Sequence, residues 1–171
     1  MENVKTSIVG IFTVFDDGVL YLKRSPNEKP YENMWCIPSG TVEEGESPYA
    51  TARREFQEET GLNPEGIAIE YVDNFNFPIG KNVANIMLFF SYVKGSIDEV
   101  KISNEHVDKK LYTLEELEHI AKMGMMRGEA KDKESNDALT PIDHYILNNY
   151  LSAIQSKVNV HRESMEKLRQ R

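Results

Sequence analysis

The chain has 171 residues, enough for one domain with a full hydrophobic core, and its 40% apolar and 28% charged residues are ordinary for a globular protein. A single cysteine, Cys36, excludes a disulfide framework within the chain, and no run of roughly eighteen apolar residues predicts a membrane span. The net charge of −8 argues against a large nucleic-acid footprint, because binding to phosphate backbones needs a basic surface. We therefore expect a soluble, cytoplasmic protein with no membrane partner.

The charge is distributed unevenly along the chain. Residues 157–171 carry five lysines and arginines against two glutamates, a net charge of +3, which leaves −11 on residues 1–156. An acidic body with a basic tail suits an enzyme of metal-bound nucleotides better than a DNA-binding protein.

The N-terminal part of the chain predicts a β-hairpin. Residues 4–15 are rich in β-branched and aromatic side chains, Asp16-Asp17-Gly18 is a hairpin turn signal, and 19–22 resume the strand pattern. The second strand ends near Arg24, and residues 25–34, with two prolines and mixed charge, predict a loop.

The segment from 48 to 60 predicts a helix. Ser47 supplies a hydroxyl N-cap, a proline occupies the first helical position, and Gly61 is a natural stop. At about 100° per residue, one stripe of this helix is apolar and the stripe beside it is acidic. The apolar stripe contains Tyr49, Ala52 and Phe56, and the acidic stripe contains Glu55, Glu58 and Glu59.

The acidic stripe carries a small energetic cost. Glu55 faces like charges three and four residues on, and Glu58 and Glu59 lie in the last turn, where the helix dipole disfavours anions. A divalent cation such as Mg²⁺ would turn this repulsion into ligation. The alternative is a solvated acidic face on which Arg54 pairs with Glu58.

The residues around this helix follow a known pattern. Gly40, five residues, Glu46, seven residues and then REFQEETGL at 54–62 resemble the signature of the Nudix hydrolase superfamily at every defining position. Residues 35–40, here called the approach segment, are similar to the family's entry to this loop, with Ser39 replacing the first of two glycines. The resemblance is close over about 20–115 and implies an α/β/α sandwich with a mixed β-sheet, here followed by a C-terminal helix.

The resemblance also implies a set of site residues. Mg²⁺ or Mn²⁺ would be held by the Gly40 carbonyl, Glu55, Glu58 and Glu59, and Arg54 would orient the glutamates. Glu55 or the loop residue Glu105 would act as the base. The candidate substrate-binding residues are Arg24, at the end of its strand, Trp35 in the approach segment, and Phe77.

Past the signature, residues 66–72 and 84–93 predict two strands, with 74–82 as their connection. Phe77 lies in that connection, where it could stack on a nucleobase or serve as a packing residue. Further on, an acidic loop over 96–108 precedes the last strand and contains Glu105, with Asp108 behind it. Either acid could be ordinary loop charge.

The C-terminal part predicts two helices. Thr113 and Glu116 form a capping box that opens a helix over about 114–123, and a polar linker at 123–140 follows. Pro141 opens the second helix, which divides the chain into a domain at 1–140 and an extension at 141–171 whose basic tail is expected to fray beyond 157. The apolar face of this helix contains Ile142, Tyr145, Ile146, Tyr150, Ala153 and Ile154. It either docks on its own domain or forms a contact in a homodimer.

The expected function follows from the resemblance. It is divalent-metal-dependent hydrolysis of the pyrophosphate bond in a nucleoside diphosphate linked to another moiety, for example ADP-ribose, a dinucleoside polyphosphate or a nucleoside triphosphate. The partner would be a small nucleotide, with nucleic acid unfavoured. Two alternatives stay open at this point: a nucleotide-binding regulator and a pyrophosphohydrolase of RNA ends.

Overall fold

The computed structural model describes residues 6–127 and 138–171 of the chain. Within these residues the chain forms seven strands and three α-helices. In chain order they are β1 (Thr6–Phe15), β2 (Gly18–Arg24), β3 (Trp35–Cys36), β4 (Ser39–Thr41), α1 (Pro48–Thr60), β5 (Ile69–Ile79), β6 (Asn82–Tyr92), β7 (His106–Tyr112), α2 (Leu114–Arg127) and α3 (Pro141–Arg169).

The strands form one mixed sheet. Its main order is β3-β2-β1-β6-β5, with β4 paired to β1 and β7 paired to β2. β1 and β6 are parallel, from Thr6 opposite Ala84 to Val14 opposite Tyr92, and the other pairs are antiparallel. The expected mixed α/β class is therefore confirmed.

Helices cover both faces of this sheet. Phe12 of β1 belongs to one apolar cluster together with Leu117 of α2 and Ile154 of α3. Val9, on the opposite face of β1, belongs to a second cluster with Phe56 of α1. Because both faces are buried, β1 is a nearly continuous apolar run instead of an alternating one.

The β5–β6 hairpin is longer than the sequence predicted. The connection expected at 74–82 is strand up to Ile79 and again from Asn82, and the turn itself is confined to 80–81. The sequence predicted a connection here because polar residues such as Asn74 and Asn76, which are exposed on the strand, are more typical of loops. Pro78 is tolerated because β5 is an edge strand, where a missing N–H need not break a ladder.

Helix α1 has the predicted bounds. Ser47 Oγ accepts the Ala50 N–H, and Gly61 closes the helix with a φ of 70°. Tyr49 was wrongly placed on the apolar stripe: it is 49% exposed, because α1 meets the sheet only from its second turn onward. Thr51 is buried instead.

Helix α3 docks on the sheet of its own chain, which was one of the two alternatives. Its buried apolar residues are Ile146, Leu147, Leu151, Ile154 and Val158, all in the cluster that contains Phe12. Ala153 was wrongly placed on this face and is exposed. The helix is also continuous to Arg169, without the fraying expected beyond 157, and Val158 is fully buried.

The linker predicted at 123–140 is shorter than expected. α2 continues to Arg127, and Leu139 forms a parallel bridge with Trp35. The remaining part of that prediction, 128–137, lies outside the described residues. No helix in the described part of the chain is both long enough and apolar enough to cross a membrane.

Candidate active site

Two of the three predicted glutamates are buried where α1 faces the short strand β4. Glu55 is 8% exposed and Glu59 is 3% exposed, whereas Glu58 lies on the rim of the site. The Ser39 N–H donates to Glu59 Oε2 at 2.8 Å. Gly40 lies directly against the Glu55 carboxylate, because a Cβ built at this position would be 2.0 Å from Glu55 Cδ. Helical spacing groups the three glutamates, and the β1–β4 pairing brings Gly40 next to them.

Arg54 links the acidic side chains. Its Nε and Nη2 donate to the two carboxylate oxygens of Glu46 at 2.7 and 2.9 Å. Its Nη1 donates to Glu55 Oε1 at 2.7 Å and to Glu58 Oε2 at 3.2 Å. The bidentate contact with Glu46 fixes the plane of the Arg54 guanidinium. The alternative of a simple Arg54–Glu58 pair therefore accounts for only one of these contacts, and the orienting role of Arg54 stays a prediction.

Burial governs the ionisation of the two inner glutamates. It raises the pKa of Glu55 to about 6, against the opposing hydrogen bond from Arg54. It also raises the pKa of Glu59 well above its ordinary value, against the hydrogen bond from Ser39. Arg54 has the opposite effect on Glu46, whose pKa its hydrogen bonds lower to about 2. The site therefore holds two carboxylates that resist ionisation beside one that ionises readily.

Glu105 lies within electrostatic range of this pair. Its charge contributes to the raised pKa values of both Glu55 and Glu59. The β2–β7 pairing brings it there: the Ser25 N–H donates to the Glu105 carbonyl at 2.8 Å, and the exposed side chain follows the end of β2. Asp108, the second candidate, lies farther along β7 opposite Lys23.

His106 supports the Glu105 turn and was not predicted from the sequence. The His106 N–H donates to the Ser103 carbonyl at 3.2 Å, and Glu105 N–H donates to Ser103 Oγ at 3.4 Å. Burial lowers the pKa of His106 to about 4, so the ring is neutral near pH 7. Its Nε2 lies 3.9 Å from Sγ of Cys36, a contact between residues 70 positions apart that no sequence spacing indicates.

A cleft of about 260 Å³ is lined by Arg24 and Ser39 and is here called the Arg24 cleft. Nη2 of Arg24 donates to the Glu28 carbonyl at 3.3 Å, while its Nε is buried and has no hydrogen-bond partner among the described residues. Ser39 joins the cleft to Glu59. The lining residues are Thr6, Ile8, Arg24, Pro30, Tyr31, Ser39, Ile79, Asn82, Val83, Ala84 and Ile142.

The other two predicted substrate-binding residues do not line this cleft. Trp35 is 2% exposed, in the same core cluster as Phe12, with Lys110 Nζ 4.6 Å from its ring centroid. Phe77 packs edge-to-face on Tyr145 of α3, with ring centroids 5.8 Å apart. Tyr31 and Ile142 line the cleft instead. The only sequence signal for Tyr31 was an aromatic residue in a loop next to the approach segment.

A larger cavity, of about 860 Å³, lies away from the glutamates along the end of β7 and α2. None of the predicted site residues lines it. Its lining residues are Lys110, Leu111, Tyr112, Thr113, Glu115, Glu116, Glu118, His119, Ile120 and Lys122. This larger cavity is therefore separate from the predicted site residues.

The donor set around α1 has the chemistry that Mg²⁺ prefers. Glu55, Glu58, Glu59 and the Gly40 carbonyl all offer hard oxygen atoms, and Gly40 leaves the space that the Glu55 carboxylate fills. Within residues 6–127 and 138–171, however, no three acidic, histidine or cysteine side chains already converge as a metal cluster. Arg54 engages Glu55 and Glu58 in this arrangement, so ligation requires those side chains to reorient.

Comparison with known proteins identifies the family of this chain. The family model described as NUDIX domain matches residues 4–132, about three quarters of the chain. The protein therefore belongs to the Nudix hydrolase family.

Individual relatives are more distant. The chain is 30% identical over 94 residues to the uncharacterized Nudix hydrolase YvcI of Bacillus subtilis, covering 55% of this chain and 56% of that protein. It is 27% identical over 109 residues to the asymmetrical bis(5'-nucleosyl)-tetraphosphatase of Rattus norvegicus, covering 63% and 74%. The chain thus spans only about half the length of YvcI.

The solved structure of the MutT protein from Methanosarcina mazei Go1 is also similar. It superposes with a TM-score of 0.68 at 21% identity, over 88% of this chain and 95% of that one. At this identity the likeness concerns the fold, and it confirms the expected Nudix arrangement of a mixed sheet between helices.

Proposed function

We propose that this protein is a divalent-metal-dependent hydrolase that cleaves the pyrophosphate bond of a nucleoside diphosphate linked to another moiety. The observation that carries the proposal is the group of glutamates on α1 that is joined to the Arg24 cleft through Ser39, which lines the cleft and donates its N–H to Glu59. The glutamates offer carboxylates, and Arg24 in the cleft offers a guanidinium. A metal-bound phosphate chain needs both.

The chain's own residues would divide the work as follows. Arg24 binds a phosphate oxygen, since it lines the cleft and its guanidinium carries a permanent positive charge. Glu55 accepts a proton from the attacking water as the water oxygen bonds to phosphorus and the anhydride P–O bond breaks. The bridging oxygen leaves with the second phosphate. Glu105, being exposed nearby, is the alternative base.

Glu55, Glu58, Glu59 and the Gly40 carbonyl would hold Mg²⁺ or Mn²⁺. When bound, the ion polarises the phosphates and neutralises the charge that develops on them. Arg54 holds the Glu55 and Glu58 carboxylates close together by donating to both. The Ser39 N–H holds the Glu59 carboxylate in place.

The size of the cleft favours a small substrate. About 260 Å³ is enough for a nucleoside-sized group, and its walls combine apolar side chains with the aromatic ring of Tyr31. The rat relative is named as a tetraphosphatase of bis(5'-nucleosyl) compounds, which supports testing dinucleoside polyphosphates first.

The test is a hydrolysis panel with Mg²⁺ or Mn²⁺, containing dinucleoside tetraphosphates, ADP-ribose, nucleoside triphosphates and RNA with a 5'-triphosphate. We expect turnover of at least one small nucleotide, and a fall in kcat by two or more orders of magnitude in Glu55→Gln, on the scale of losing a general base. Gln57→Ala, an exposed residue of the same helix, is the matched control and should keep its rate.

Three results would change the proposal. Turnover of RNA alone would favour an RNA-end pyrophosphohydrolase. Tight nucleotide binding with no turnover of any compound would favour a regulator. A normal rate in Glu55→Gln together with a large loss in Glu105→Gln would move the base to the loop.

A further inference from the structure

The residues just before α3 form backbone hydrogen bonds with the approach segment. The Trp35 N–H donates to the Ala138 carbonyl at 3.0 Å, and the Thr140 N–H donates to the Trp35 carbonyl at 3.0 Å. Leu139, between them, forms the parallel bridge with Trp35. The strand that leads into the signature therefore gains a short pairing partner from the C-terminal part of the chain.

Asp143 makes a further contact with the approach segment, two residues beyond Trp35, at Ile37. It is 3% exposed, and its Oδ1 accepts the Ile37 N–H at 3.0 Å. Its Oδ2 accepts the Thr140 hydroxyl, whose oxygen in turn accepts the Asp143 N–H at 3.1 Å. Both carboxylate oxygens therefore have partners within the protein.

This use of the carboxylate is more than a helix cap. In an ordinary capping box the acidic residue at the third helical position would bond the N-cap N–H. Here the Thr140 N–H is already taken by Trp35, and the acid reaches across to Ile37 instead. Burying a carboxylate costs folding free energy unless its hydrogen bonds compensate. If this position served only to begin the helix, an uncharged residue would do so at a lower cost in folding free energy.

The contact acts on the glutamate site through a short stretch of backbone. Ile37 is two residues before Ser39, whose N–H holds Glu59 at 2.8 Å. Pro38, between them, has no N–H and offers only its carbonyl, which accepts the Ile11 N–H at 2.8 Å. Asp143 thus fixes one end of this stretch, and Glu59 is bonded to the other.

We propose that Asp143 is a positioning residue of the active site, which holds the approach segment through the Ile37 N–H so that Ser39 meets Glu59. The extension would then be part of the reactive site and not only a cover for the sheet. Ile142, the residue before Asp143, lines the Arg24 cleft directly. The kinetic part of this inference rests on the proposed hydrolysis, but the structural part does not.

The first test needs neither metal nor substrate. Amide hydrogen exchange of Ser39 and Ile37 is measured by NMR in the wild type, Asp143→Ala and Leu151→Ala. Leu151 is buried on α3 without a hydrogen bond to the approach segment in the described structure, so its truncation is a matched loss of packing. We expect Asp143→Ala to speed exchange of both amides at least tenfold relative to buried β1 amides, and Leu151→Ala to leave that ratio unchanged.

Conservative replacement provides the second test. Asp143→Asn keeps an oxygen that can accept the Ile37 N–H, whereas Asp143→Ser is too short to reach it. Asparagine should restore slow exchange and serine should not. Serine also serves as the milder truncation if the alanine variant does not fold.

The kinetic test uses whichever substrate the panel identifies. We expect Asp143→Ala or Asp143→Ser to lower kcat at least tenfold with little change in KM, while Leu151→Ala keeps its kcat despite lower stability. Unchanged Ser39 exchange in the serine variant would overturn the inference. Faster exchange with normal kcat would limit Asp143 to a structural role. Faster exchange in a chain that hydrolyses nothing would leave the positioning of Ser39 established and would count only against the proposed function.

Discussion

Gly40 and the Glu55 carboxylate are in such close contact that any side chain at position 40 would displace the carboxylate. A Cβ there would lie 2.0 Å from Cδ and 2.1 Å from Oε1 of Glu55, far inside van der Waals contact. The backbone of Gly40 lies in the β1–β4 ladder, opposite Val9, so the restriction comes from the neighbouring carboxylate. The observed position of the Glu55 carboxylate therefore requires a glycine at position 40.

This contact predicts the effect of Gly40→Ala. The new methyl group would push the Glu55 carboxylate out of place, and we expect kcat to fall about a hundredfold, as for loss of a general base. Circular dichroism should show the fold retained. In a double-mutant cycle with Glu55→Gln, the alanine should add little further loss. Fully additive losses would mean that Gly40 acts through a different residue.

A second prediction concerns the metal. In Glu58→Gln with Glu59→Gln, two carboxylates of the proposed metal site become neutral amides, and we expect the heat of Mn²⁺ binding in calorimetry to disappear. The fold should persist, because the amide oxygen of a glutamine at position 59 can still accept the Ser39 N–H. Glu115→Gln with Glu118→Gln, on the exposed side of α2, removes the same charge elsewhere and should bind Mn²⁺ normally. Equal affinity in both double variants would exclude a metal site at α1.

A third prediction concerns pH and Asp143. Burial raises the pKa of this carboxyl from 3.8 to about 7, against the hydrogen bonds from Thr140 and Ile37. The folded state therefore holds the proton more tightly than the unfolded state. The resulting stability is complete below pH 4 and is lost as the pH rises toward 7. The charged or titratable groups that act on Asp143 or feel its charge are Arg24, Tyr21 and Cys36.

Asp143→Asn lacks this titration. Urea unfolding of both proteins between pH 4 and 8 should show the variant gaining stability relative to the wild type as the pH rises, by at most about 1.4 kcal/mol per pH unit. The difference should level off above pH 7. A difference that does not depend on pH would show that Asp143 ionises in the fold as it does in the unfolded chain.

A fourth prediction concerns the extension. Deleting 141–171 would expose the sheet face that α3 covers, at a loss of about 1.5–3 kcal/mol for each large buried side chain. We expect this fragment to aggregate in light scattering. Deleting only 164–171 should leave stability and turnover unchanged, because the last buried residue of α3 is Val158 and His161 still stacks on Tyr92. A stable, active 1–140 fragment would show that α3 is dispensable for the fold.

The sequence determined the parts of this protein that depend on short spacing. Helix α1, its caps and the grouping of Glu55 with Glu58 and Glu59 follow from residues three and four apart, which a helix always brings to one side. Arg54 and Glu58, four residues apart, are brought together in the same way. Their catalytic and metal-binding roles stay predictions.

Only the tertiary structure decided which distant residues join them. The contact between Asp143 and Ile37 spans 106 positions, and it exists because α3 packs across the sheet and brings its first turn to the approach segment. The same packing placed Ile142 in the Arg24 cleft and Phe77 against Tyr145, at the edge of the core. Such contacts depend on how whole elements meet, since side-chain volume and sheet register set them and the local residue pattern does not.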